Sequence, residues 1–198
     1  MKYLPLLLLL LLSCEKDNTE MFAFASGRFT DERDGQTYEY VELGNQIWMS
    51  ENLAYIDYDY YPDSIDFATI HEKPIVPLFY YNGDYGVLYN WYAAIDAAPK
   101  GWHLPSESEW DALIKYVGGD SVAGMKLKEE FSALAGGCKT DEFPNHTQGQ
   151  RGDWWGAGLS DEQWRYSINF TGENNITKRD DKDSKAFARY LSIRCIKD

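Results

Sequence analysis

TYEYVELGNQIWM, residues 37–49, is the segment that says most about the fold. Strand-forming residues at 37–43 and 46–49 flank the pair Gly44-Asn45. A Gly-Asn pair between strand formers is typical of a two-residue hairpin turn. The sequence therefore predicts an antiparallel hairpin with strands Thr37–Leu43 and Gln46–Met49.

The best-marked helix follows residue 105. Ser106 is a strong N-cap, and Glu109, three residues later, completes the pattern of a capping box. Apolar residues then recur at helical spacing as far as Gly118-Gly119, which ends the helix. Two further helices are predicted at Asn90–Ala97 and Asp120–Glu130.

The remaining segments predict short strands and one long connection. Residues 54–84, rich in Tyr, Asp and Pro, predict a long ordered loop of the kind that carries function or covers a core. Short strands are expected at 21–24, 131–134, 153–156, 163–168, 175–179 and 186–196. A hairpin, a loop, helices and then strands, without βαβ alternation, predict an α+β fold.

The N-terminus has the features of an export signal. Basic Lys2 precedes the apolar run Leu4–Leu12, which is interrupted only by Pro5 and is too short to span a bilayer. The tetrad Leu11–Cys14 resembles the lipobox of bacterial lipoproteins, which implies cleavage before Cys14 and acylation of its thiol. We therefore expect a signal peptide at 1–13, a tether at 14–27 and one domain at 28–198.

The charge balance narrows the choice of partners. The full chain carries a formal charge of −13, and cleavage before Cys14 removes Lys2 and makes it −14. Nucleic acids and anionic lipids would both be repelled. Membrane attachment is then expected through the lipid anchor alone. Glu15-Lys16-Asp17 resembles the export tags of surface lipoproteins in Bacteroidetes-type bacteria, which predicts display on the outer membrane.

Cys138 and Cys195 are an even pair in a chain predicted to be exported. A disulfide between them is plausible in an oxidising compartment. Two separate buried thiols are the alternative that the sequence leaves open.

Several stretches resemble one known family, the Fibrobacter succinogenes major paralogous domain. They correspond to its opening (Asp34–Tyr38, Gly44–Met49 and Glu51–Leu53), its centre (Gly86–Trp91 and Pro99–Ser106 with Glu109-Trp110) and its closing strand (Ser192–Asp198). In order, they cover roughly residues 29–198. The resemblance implies a C-type-lectin-like fold, near the formylglycine-generating enzymes, in lipoproteins and secreted proteins.

This chain departs from the family pattern before the Gly-Trp-His-Leu-Pro stretch. Many relatives have a cysteine there, where this chain has Ala97-Ala98-Pro99. The resemblance then leaves Cys138 as the implied partner of Cys195.

No catalytic constellation is evident in the sequence. His71, His103 and His146 lack a metal-ligand spacing such as His-Glu-x-x-His, and no Gly-x-Ser-x-Gly elbow occurs. The thiol pair on which formylglycine-generating enzymes rely has no matching motif around Cys138 or Cys195. We therefore expect a protein that is not an enzyme, with His103 as a packed, hydrogen-bonded residue.

Calcium is the one metal that the resemblance brings into question. Glu142-Phe143-Pro144-Asn145 only partly matches the calcium motif of sugar-binding C-type lectins, and no Trp-Asn-Asp follows it. Asp180–Asp183 is acidic but interrupted by Lys182, as in a solvated turn. We predict no cofactor, with calcium as a weak possibility.

The candidate ligand surface combines aromatic and polar residues of the C-terminal third. Its members are Asp153, Trp154, Trp164, Tyr166, Asn169 and Asn174, whereas Trp155 is expected in the core. Strand alternation would place Trp164 and Tyr166 on one face. These residues predict a display module for a glycan or a protein, and the alternative is a structural or assembly subunit of an envelope complex.

Overall fold

A computed structural model describes residues 25–57, 79–81, 83–130, 135–139, 148–157, 165–170, 176–181 and 189–198. The strands are β1 (Ser26–Thr30), β2 (Thr37–Leu43), β3 (Gln46–Met49), β4 (Phe79–Tyr81), β5 (Val87–Tyr89), β6 (Trp102–His103), β7 (Gly152–Gly156), β8 (Arg165–Phe170), β9 (Ile176–Asp181) and β10 (Ile196–Lys197). The α-helices are α1 (Trp91–Ala94), α2 (Glu107–Tyr116) and α3 (Asp120–Glu130), and a 3₁₀ turn covers Gly83–Tyr85. The α+β class predicted from the sequence is confirmed.

The predicted hairpin forms the centre of the main sheet. Strands β2 and β3 pair antiparallel with Leu43 opposite Gln46, and Gly44 at the turn has a φ of 66°. Antiparallel pairing extends the hairpin to a five-stranded sheet in the order β1-β2-β3-β10-β6. The closing strand β10 is therefore inserted between β3 and β6.

Side chains from the two faces of this sheet enter two different core clusters. Val41 and Trp48 join the first cluster, together with Trp110 of α2. Tyr38 and Met49 join the second cluster, which also contains residues of β5 and α1. The sheet is covered on both sides because alternate residues of a strand point to opposite faces.

The edge strands β1 and β6 meet because the sheet is curled. Four strand spacings separate them, about 19 Å in a flat sheet. However, the rings of Phe29 in β1 and Trp102 in β6 stack with centroids 4.3 Å apart. The guanidinium of Arg33, just after β1, also donates to the carbonyl of Ala97, just before β6 (2.9 Å). The aromatic stack and this hydrogen bond hold the two edges together.

Helix α2 begins at the predicted capping box. The Ser106 hydroxyl accepts from the Glu109 amide, and the Glu109 carboxylate accepts from the Ser106 amide (2.8 Å). Trp110 is fully buried and packs against Trp48 with ring centroids 4.7 Å apart. The first turn of α2 thereby positions the helix on the sheet.

A second, three-stranded antiparallel sheet has the order β7-β8-β9. Its strands correspond to those predicted at 153–156, 163–168 and 175–179, and most of the predicted bounds differ from the observed ones by one or two residues. Strands β4 and β5 form a separate antiparallel pair. Among the described residues, no helix has the length and apolar character needed to cross a bilayer.

Some predicted elements differ from the structure in extent. Helix α1 is four residues long, shorter than the predicted 90–97, and Asn90 is its N-cap. The predicted strand 186–196 is not continuous, since residues 190–192 make isolated bridges before β10 begins at Ile196. Strand β1 begins at Ser26, two residues inside the segment expected to be tether. The strands expected at 21–24 and 131–134 lie outside the described residues.

Candidate functional site

Strand β7 contains the first two residues of the predicted ligand surface. Asp153 pairs with Asn169 of β8, Trp154 pairs with Ile168, and Gly156 pairs with Tyr166. The register thus places Tyr166 and Asn169 in the strand next to Asp153 and Trp154.

Trp154 does not form part of a ligand surface, contrary to our expectation. Its side chain is 1% exposed, lies in the first core cluster and donates its indole N–H to Asn52 Oδ1 (2.8 Å). Trp155 is fully buried in the second cluster, as predicted, and donates to the Tyr89 carbonyl (2.6 Å). Strand β7 is buried on both faces because its two indoles pack into opposite clusters.

Asp153 is a second correction. The residue is 4% exposed, and its Oδ1 accepts two hydrogen bonds from the guanidinium of Arg151, from Nε (3.0 Å) and Nη2 (2.6 Å). A carboxylate in this position is already neutralised and shielded from water. Asp153 therefore stabilises the start of β7 and is not exposed to a ligand.

A buried polar network lies beneath β7 and is centred on Asn52. The Asn52 carboxamide donates to the Tyr85 carbonyl (2.9 Å), and its oxygen accepts from Trp154 and from Arg194 Nη2 (3.2 Å). The Ser192 hydroxyl lies 3.5 Å from Asn52 Nδ2. One carboxamide therefore connects four distant parts of the chain.

Arg194 is the charged member of this network and is fully buried. Burial lowers its pKa to about 9, while the negative charge of Glu51 acts in the opposite direction. Its guanidinium lies 5.9 Å from the Trp154 ring centroid, which permits a cation–π contact. An isolated cation in such a place would be costly, so these contacts make its burial possible.

Backbone hydrogen bonds join the same segments. The Leu53 amide donates to Ile193, the Val87 amide to Leu53, and the Trp155 amide to Ser192 (2.9, 3.1 and 3.0 Å). Gly86, at a φ of 87°, allows the close approach, since a Cβ there would lie 2.9 Å from the Leu53 carbonyl oxygen. The opening, central and closing stretches of the chain thus form one internal frame.

His103 is hydrogen-bonded, as predicted from the sequence, but its side chain is 40% exposed. It links β6 to the acidic residues Glu109 and Asp198. The ring stands beside the capping box of α2, and both of its nitrogens are engaged by carboxylates.

The structure has no disulfide between Cys138 and Cys195, which corrects the prediction that they are bonded. Lys139 and Tyr190 form an antiparallel bridge, so Cys138 lies opposite Leu191, four residues before Cys195. Since an extended chain rises about 3.3 Å per residue, the two cysteines are too far apart for a bond that requires a Cα separation of roughly 5.5 Å. Cys195 is fully buried, and burial raises its pKa.

Other predicted positions are only partly within the described residues. Cys14, Trp164 and Asn174 lie outside them, as does the segment 142–145 considered for calcium. Tyr166 and Asn169 are placed within β8 by their backbone register. Within the part of the chain that the structure describes, no group of three His, Cys, Asp or Glu side chains is arranged to hold a metal ion.

The internal frame and the order of its elements define an α+β domain closed by its own last strand. The chain belongs to the Fibrobacter succinogenes major domain family, whose model matches residues 41–197. That match contains every segment joined by Asn52. No curated protein and no solved structure matches this chain.

Proposed function

We propose that this chain is a lipid-anchored protein of the bacterial outer membrane that displays a lectin-like binding domain, with a glycan or a protein as its ligand. The leader-like residues 1–13 and the lipobox ending at Cys14 support export and anchoring. Family membership supports a domain whose fold is C-type-lectin-like.

The observation that carries the proposal is how the family's signature side chains are used. Asn52 and Arg194, which lie in the signature stretches, are buried, and the Asn52 oxygen accepts from Arg194 and from the buried Trp154. Because these side chains are buried and hydrogen-bonded, we assign them a structural role and assign ligand recognition to surface residues. Trp164, Tyr166, Asn169 and Asn174 remain the proposed ligand contacts, because aromatic faces and carboxamides are the groups that stack on and hydrogen-bond to sugars or to a protein partner.

The charge of the chain supports attachment through lipid only. At a formal charge of −13, the protein is repelled by anionic headgroups, whereas two or three acyl chains contribute about 0.8 kcal/mol for each buried CH₂. The lipid anchor then holds the domain near the membrane, and the domain itself does not bind the headgroups.

A glycan array probed with the detergent-solubilised full chain tests the proposal. We expect binding to a restricted set of glycans, and loss of that binding in Trp164→Ala. Tyr116→Ala is the matched control, because Tyr116 is an exposed aromatic residue on α2, outside the proposed surface. A cooperatively folded chain that binds neither glycans nor host matrix proteins would refute the display function.

Crosslinking in cells separates this proposal from the assembly alternative. Recovery of one envelope protein in a fixed stoichiometric ratio, together with no binding on the glycan array, would favour a structural subunit of an envelope complex. Recovery of scattered partners together with glycan binding would favour display.

Metabolic labelling with palmitate tests the anchor. Cys14→Ser is expected to remove the label and release the protein from the membrane fraction, whereas the control Cys138→Ser keeps both. Equal labelling of the two variants would refute lipidation at Cys14. Protease treatment of intact cells then reports whether the domain faces outward.

A further inference from the structure

His103 is held between two carboxylates. Its Nδ1 lies 2.7 Å from Asp198 Oδ1, and its Nε2 lies 2.9 Å from Glu109 Oε1. An ionised carboxylate only accepts hydrogen bonds, and a neutral imidazole has a single N–H to donate. Both contacts are therefore satisfied together only when the ring is protonated.

The two carboxylates are held in different ways. Glu109 is fixed by the capping box, where its Oε2 accepts from the Ser106 amide (2.8 Å) and the Ser106 hydroxyl (2.7 Å). The Asp198 side chain is 60% exposed, and a backbone hydrogen bond from its amide to the Gly101 carbonyl (3.1 Å) ties the residue to the sheet. When the ring loses a proton, Asp198 is the partner that can move away.

We propose that His103 is a pH-sensitive latch that holds the end of β10 against β6 and α2 while its imidazole is protonated, and that releases the Asp198 carboxylate when the proton is lost. This device is independent of the proposed ligand surface. It acts on the strand that completes the central sheet, since β10 lies between β3 and β6.

The electrostatics give the direction of the response. Burial lowers the pKa of His103, but hydrogen bonds and charge from Glu109 and Asp198 raise it above 6.5 overall. A raised pKa stabilises the folded state fully below about 6.5, and this contribution is lost as the pH rises through the raised value. Burial raises the pKa of Glu109, but hydrogen bonds from Ser106 and His103 and the charge of His103 lower it below 4.5 overall, so its contribution is lost only as the pH falls through that lower value. The latch is therefore closed in mildly acidic solution and opens toward alkaline pH.

Two NMR measurements on the detergent-solubilised full chain test the latch. The first follows the ring resonances of His103 with pH, assigned by comparison with His103→Gln, and we expect a midpoint above 6.5. The second follows exchange of the Asp198 amide, corrected for its intrinsic pH dependence. Protection should fall roughly two- to fivefold above the midpoint, which corresponds to about 0.4–1 kcal/mol for an exposed ion pair.

Asp198→Asn is the decisive variant, because it removes one charge and leaves the capping box intact. It should lower the His103 midpoint and abolish the pH dependence of the exchange. Asp84→Asn, the same change at an exposed site on the 3₁₀ turn, should alter neither. A midpoint at or below 6.5 in the parent chain, or one unchanged by Asp198→Asn, would overturn the proposal.

Discussion

Asn52 makes a set of hydrogen bonds in the internal frame that other residue types could not reproduce. Its oxygen accepts from a tryptophan and an arginine, while its nitrogen donates to the Tyr85 carbonyl. An aspartate could not make that donation, and an apolar residue would leave both donors without this acceptor. Only a carboxamide of this length serves both roles in the observed geometry.

Asn52→Ala is predicted to destabilise the protein by about 2–4 kcal/mol, since a buried cation and an indole N–H both lose their acceptor. Urea unfolding followed by tryptophan fluorescence measures this change in the free energy of unfolding. Gln36→Ala, an exposed carboxamide, serves as control and should cost less than about 0.5 kcal/mol. Equal costs for the two variants would show that the network contributes little.

Asp31 and Arg33 form the second residue-scale interaction that can be tested. Burial raises the pKa of the Asp31 carboxyl, but the side-chain and backbone hydrogen bonds from Arg33, with its charge, lower it below 3.8 overall. A lowered pKa stabilises the folded state fully above about 3.8, and this contribution is lost as the pH falls through the lower value. The pair therefore contributes to stability at neutral pH and not in strong acid.

Asp31→Asn is predicted to cost about 1–2 kcal/mol at neutral pH and progressively less in acid. Chemical denaturation at a series of pH values measures the difference from the parent chain. Asp84→Asn should run parallel to the parent throughout. A constant offset for Asp31→Asn down to strongly acidic pH would contradict the assignment.

At the scale of elements, aromatic contacts of Phe29 contribute to the closure of the curled sheet. Phe29 of β1 packs against Trp102 of β6 and also stacks on Tyr38 of β2, with ring centroids 5.6 Å apart. Among the described strands β1 pairs with β2 alone, so these side chains add to that pairing in holding the first strand.

Phe29→Ala is predicted to destabilise by about 2–3 kcal/mol, less than a fully buried phenylalanine would cost, because Phe29 is half-buried. Amide exchange should rise most in β1, since the loss is local to that edge. Thr30→Ala, on the opposite and exposed face of β1, is the control. Exchange that rose uniformly across the sheet would argue against a separate closure contact.

At the scale of the whole molecule, the fold is closed by hydrogen bonds and packing without the predicted disulfide. Denatured without reductant, the chain should yield thiols from both Cys138 and Cys195, because the two are not bonded. In the native state, half-buried Cys138 should react first, since Cys195 is fully buried with a raised pKa. Single Cys→Ser variants identify each signal. Thiols that appear only after reduction would show that the two cysteines are bonded.

Local elements were predictable because their causes are close in sequence. The hairpin depends on Gly44-Asn45, and the start of α2 depends on Ser106 and Glu109, three positions apart. The proposed ligand surface was less predictable. Trp154 is of a residue type common in binding sites. Its burial and its hydrogen bond to Asn52, 102 positions away, became evident only in the structure.

The sequence by itself determined the α+β class, the hairpin and the capped helix, because turn chemistry and helix capping act within a few residues. The signature stretches also indicated the family. The tertiary structure alone decided that β10 completes the sheet between β3 and β6, that the two cysteines stay apart, and that Arg194 is buried beside Asn52. The physical reason is distance along the chain: Asn52 and Arg194 are 142 positions apart, and no local pattern encodes a hydrogen bond that exists only after the chain has closed on itself.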